Sequence, residues 1–166
     1  MTTAPMTRQT VGYHQGITAV IISILTAGAF ATIAFDLFGK AISPMLGYAT
    51  LAPVPLANGV LNAVFGSGYR PGAEAMHIMA GLIAYPAGWV LIAEPLRQRI
   101  APWFPWLASA VIYGVILWVF ALYFMAHLVA GNAPFLGWTG ITWVAFWGHI
   151  LFAVVAAIVV RIRQRA

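Results

Sequence analysis

Four side chains in this sequence have the types to do chemistry: Asp36, His77, His127 and His149, each set in a stretch almost free of charge. Two imidazoles and a carboxylate form a common ligand set for iron, copper or zinc. Two imidazoles facing each other across a gap can instead hold haem b. The same groups on neighbouring helices can pass a proton or a small solute. The plainest use is a hydrogen bond from each histidine to a backbone carbonyl or hydroxyl of a facing helix, worth about 0.6 kcal/mol. None of the four sits in a compact ligand motif, so only the fold can bring them together. Met76, Met79 and Met125 lie near the same level and could offer thioethers to copper(I), but unbranched methionine more simply fills core gaps. His14, beside Tyr13, reads as solvated.

The elements that must position these groups are membrane spans. Hydrophobic residues make up 63% of the 166 residues and charged residues 7%, with a mean hydropathy of +0.93, whereas soluble domains carry about a quarter charged residues. A crossing needs roughly 20 apolar residues for a hydrocarbon core of about 30 Å. Four stretches qualify: 17–38, 73–92, 106–130 and 138–160. The reading is an all-α integral membrane four-helix bundle in one domain, 1–166, which excludes a soluble catalytic module. The first run is too long for a secretory signal and is expected to be an uncleaved span. There is no cysteine, so thiolate metal sites and disulfides are out.

Between the first two spans, 41–72 is an outer connector rich in proline and glycine. Within it, the pattern at 56–66 predicts a short interfacial helix, with Leu56, Val60, Leu61, Val64 and Phe65 on one side and Asn58 and Asn62 on the other. Such a helix can anchor at the interface or cap the bundle mouth. Pro86 lies inside the second span and predicts a kink.

The net charge of +5 is a topology signal and not a nucleic-acid footprint, because the cations flank apolar spans. Six of the eight fall on one face, namely Arg8, Arg97, Arg99, Arg161, Arg163 and Arg165. Lys40 and Arg70 fall on the other. The positive-inside rule then places both termini in the cytoplasm. The match of TAVI at 18–21 with SAVI at 109–112 sets Asp36 opposite His127, as two tandem helical hairpins would.

Counting depth from the arginines places Asp36, His77 and His127 at one level near the outer ends of their helices. His149 falls roughly 15 Å deeper, apart from that trio. Small residues at helical spacing turn three of the four inward. His77 shares a face with Ala80, Gly81 and Ala84, His149 with Ala145, Ala153 and Ala157, and Asp36 with Gly28 and Thr32. His127 has Phe120, Tyr123 and Phe124 on its side. Lys40 is within reach of Asp36, so the simplest role of Asp36 is an interfacial ion pair. There is no Ser/His/Asp arrangement, phosphate-binding glycine loop or paired carboxylate suited to hydrolysis.

The stretches GITAV…AGAFATIAFDLFG, HIMAGLIAYPAG and GHILFAVVAA resemble the YagU-like small four-helix proteins of the bacterial inner membrane. The proline-rich connector at 41–72 departs from that pattern. The resemblance implies a bacterial cytoplasmic (inner) membrane location and carries over no catalytic residue. The expected function is a non-enzymatic accessory or assembly subunit of a larger membrane complex, or a homo-oligomer. Two alternatives stay open: a haem- or metal-binding redox protein using His77 and His127, with Asp36 as a third metal ligand, and a carrier of protons or small solutes.

Overall fold

The structure, a computed structural model, describes residues 16–165; Arg8, Tyr13 and His14 fall outside them. Among the described residues the chain is all-helical: α1 Ile17–Met45, α2 Pro53–Phe65, α3 Arg70–Ile100, α4 Trp106–Val129 and α5 Gly140–Arg163. All but α2 are long and apolar enough to cross a membrane. The chain is a multi-pass membrane protein.

α1 and α3 overrun the expected spans, at 29 and 31 residues, or about 43 and 46 Å at 1.5 Å per residue. The first span was expected to end at 38 and the second at 92, whereas both helices run on through Pro44 and Pro95. A proline inside a helix lacks the N–H for a normal bond and crowds the carbonyl four residues back. The chain answers the same way three times, by widening the helix just ahead of the proline. Ser43 before Pro44, Tyr85 before Pro86 and Glu94 before Pro95 each donate to the carbonyl five residues back, on Phe38, Ala80 and Trp89. The helices therefore continue through the prolines as π-type turns. A fourth wide stretch, Phe120–Val129, has no proline to explain it, and such stretches are frequent at functional sites.

Neighbouring helices run antiparallel, so the bundle has two unlike ends. At one end Arg163 of α5 donates to the Ser23 hydroxyl of α1 at 3.2 Å and Arg161 lies over the Trp106 ring of α4. α5 packs along both α1 and α4, and α1 packs on the middle of α3. Small residues let the backbones approach. A side chain at Gly114 would sit 2.7 Å from the Ile150 Cα, and one at Gly28 would strike the Leu82 carbonyl. That carbonyl lies four residues before Pro86, so the residue packed on the freed backbone has no side chain in the way.

α3 and α4 meet mainly near their shared turn. Toward the other end the gap between them is covered by α2, which packs on the start of α3 and on the wide stretch of α4. Pro53 and Pro55 start α2 where missing N–H groups cost nothing. Gly66, at φ +75°, ends it in the left-handed conformation that glycine adopts freely. Ala57 and Val60 are buried, but Val64 and Phe65 are exposed, so only part of the expected apolar face is used. The turn from α4 to α5 carries a rarer feature. Phe135, Leu136, Gly137 and Trp138 all have positive φ, and the strain is braced by the Thr142 hydroxyl donating to the Phe135 carbonyl and by Phe135 packing 4.7 Å from Trp118.

Candidate functional site

Beneath α2 the four long helices form a partly open chamber of about 220 Å³. Its floor and walls are apolar, with Phe35 from α1, Ala80 and Ala84 from α3, Ala121 and Leu122 from α4, and Phe152 from α5. Leu51, Pro53, Leu56 and Val60 close it from above. The wide turns of α3 and α4 both contribute to its walls. Two imidazoles, of His77 and His149, border it together with the ring of Tyr85 and with Thr32.

Asp36 and His77, both expected to face the interior, meet across α1 and α3. The His77 Nε2–H donates to Asp36 Oδ1 at 3.1 Å, and Lys40 reaches Asp36 Oδ2 at 2.9 Å. The carboxylate thus bridges a solvent-exposed ammonium on one side and an imidazole 15% exposed on the other. Asp36 does form the interfacial pair with Lys40, and it also ties α1 to α3 beside the chamber.

His127 does not join them. Its Nδ1 donates to the Asn132 carbonyl at 2.7 Å, while the Asn132 amide donates to the Ala126 carbonyl at 3.0 Å. With Gly131 at φ +73°, these bonds finish α4. The expected ligand set of Asp36, His77 and His127 is a pair in the structure, since the third member is spent on a helix terminus. No group of three or more His, Asp or Glu able to hold a metal ion occurs among the described residues. His77 borders the chamber and His127 does not.

His149 was expected to stand apart and instead lines the same chamber as His77. Both rings pack on Phe35, with centroids 6.2 and 5.1 Å away. Because both rings lie against Phe35, the two imidazoles are closer together than the roughly 15 Å counted along the helices. The His149 Nδ1–H donates to Ala145, one turn back, at 2.7 Å, and the residue is 6% exposed. Met76 and Met125 also line the chamber, whereas Met79 is exposed.

Sequence reasoning passed over Phe35, which touches both histidines, and Tyr85, which lies on the His77 face two turns on. It also passed over Glu94. At the arginine end Glu94 is buried and accepts Arg97 Nε and Nη2 at 2.8 Å each and Gln98 Nε2 at 2.9 Å. Arg97 Nη1 then donates to the Phe104 carbonyl at 3.0 Å, pinning the turn into α4. The spacing Glu-x-x-Arg-Gln was the available signal.

The fold and chamber define the chain as a multi-pass α-helical membrane bundle with an interior, histidine-lined cavity. Comparisons with known protein families, curated proteins and solved structures found no match to this chain.

Proposed function

We propose that the protein is a non-enzymatic membrane protein that holds a small, largely apolar molecule, taken from the bilayer, in the chamber beneath α2. The observation that carries this reading is the chamber itself, an apolar space of about 220 Å³ bordered by two imidazoles. Ligand sites combine apolar walls with a few placed polar groups, and buried ionisable groups in a membrane bundle mark such sites. The chamber is only partly enclosed, which leaves a way in for the ligand. The resemblance to YagU-like proteins favours a bacterial cytoplasmic membrane for it, and the arginine distribution favours both termini in the cytoplasm.

Native mass spectrometry of the protein released from its own membranes tests this reading. The expected result is a stoichiometric small molecule that is lost from an Ala121→Leu variant, whose larger side chain fills the chamber. Release of a ligand-free protein, or retention of the ligand by the filled variant, overturns it.

A second reading, an accessory subunit of a larger membrane complex or a homo-oligomer, is favoured by a surface groove between α1 and α5. Tyr48, Trp143 and Trp147 line this groove with Ile150 and Val154. The two readings are compatible, and a stoichiometric partner in gentle detergent supports the second.

A further inference from the structure

The hydrogen-bond state of His149 restricts what the chamber can take. A carbonyl oxygen can only accept, so the 2.7 Å contact with Ala145 places a hydrogen on Nδ1 of His149. In the neutral ring Nε2 is then a bare acceptor. It has no hydrogen-bond partner among the described residues, although the residue is 6% exposed and borders the chamber. It is also absent from the buried polar atoms sealed off without a partner, which are Thr32 Oγ1, Asn58 Oδ1 and Trp89 Nε1. The nitrogen is therefore reachable from the cavity. His77 has committed its Nε2 hydrogen to Asp36.

Chamber size and walls narrow the class further. An engineered apolar cavity of about 150 Å³ takes benzene; a space of about 220 Å³ takes one ring with a substituent or two. Phe35, Tyr85, Phe120 and Phe152 border it, and Phe35 meets the His149 ring edge-on with centroids 5.1 Å apart. Edge-to-face packing favours another aromatic ring over an aliphatic chain.

We infer that the chamber selects a small aromatic alcohol, of the phenol or hydroquinone type, whose hydroxyl donates to Nε2 of His149 while its ring packs among these phenylalanines. The inference rests on the proposed reading of the chamber as a binding site and adds the donor requirement. An ether or quinone of the same shape has no hydrogen to give and leaves the acceptor unmet, the costly outcome for a buried polar group. The hydroxyl also takes over the bond of any water that satisfies Nε2 when the ligand is absent.

The test uses the full chain labelled with ¹⁵N-histidine, in phosphatidylcholine nanodiscs, titrated separately with phenol, anisole and benzene. The His149 resonances are assigned by their loss in His149→Phe. Before addition, Nδ1 should carry the hydrogen and Nε2 should not. Phenol should then shift the Nε2 signal, with anisole and benzene binding at least about tenfold more weakly and leaving Nε2 unmoved. Ala121→Leu should abolish the phenol effect. Equal binding of the three probes, or a hydrogen already on Nε2, overturns the donor requirement while the chamber stands as a site for apolar molecules. If none of the three binds, the reading of the chamber as a ligand site falls and takes this inference with it.

Discussion

Asp36 and Glu94 are both held by a cation and a neutral or titratable partner, one at each end of the bundle, yet they are built for different work. Every side chain that bonds Glu94 comes from its own helix, at i+3 and i+4, and the cluster ends by tying down the next turn. Its carboxylate has a donor on each oxygen and lines neither the chamber nor the groove between α1 and α5. Asp36 takes one donor from its own helix, Lys40, and the other from His77 on a different helix. That second partner borders the chamber. A saturated local cluster braces a helix end. A cluster shared between helices, with an imidazole open to a cavity, couples helix position to what the cavity holds.

Breaking the brace should have the largest effect on stability. Glu94→Ala leaves the partly buried Arg97 without its carboxylate partner and should cost about 3 kcal/mol, read by urea unfolding in micelles. Binding in the chamber should be unchanged at temperatures where the variant is folded. Gly114→Val tests the packing that separates the two ends, and it should cost about 1–3 kcal/mol because the added carbon meets the α5 backbone. Asp36→Asn keeps the shape of the shared cluster and removes its charge. It should cost about 1 kcal/mol, and a double-mutant cycle with His77→Gln should return a coupling of at least about 0.5 kcal/mol. Lys40→Ala, at the exposed edge, should stay within about 0.5 kcal/mol. A loss from Lys40→Ala as large as that from Glu94→Ala would erase the distinction between the two clusters.

The spans were legible because roughly 20 apolar residues in a row have few other uses, and the small-residue faces of His77 and His149 correctly turned both inward. The helix ends were less legible. Pro44 read as an interruption and Pro86 as a kink, but each is met by a local widening in which the residue before it reaches one carbonyl farther back. His127 carried a local sign of its role in the Gly131–Asn132 pair that follows it, a helix stop that draws nearby polar groups. Counting residues along an axis put His149 outside the site, whereas packing on the one Phe35 ring brings both histidines to the same chamber. Phe35 and Tyr85 could not be singled out among so many aromatics, since only the packing distinguishes a ring facing the chamber from one facing lipid.

The contrast between a brace and a chamber is tested most directly by a crystal structure of the protein under xenon pressure. Xenon enters small apolar cavities and finds no place in a satisfied ion cluster. The account predicts a xenon atom among Phe35, Leu122 and Phe152 beside His149, and none at Glu94. A chamber that takes up no xenon, or one collapsed by inward movement of α2, would contradict it.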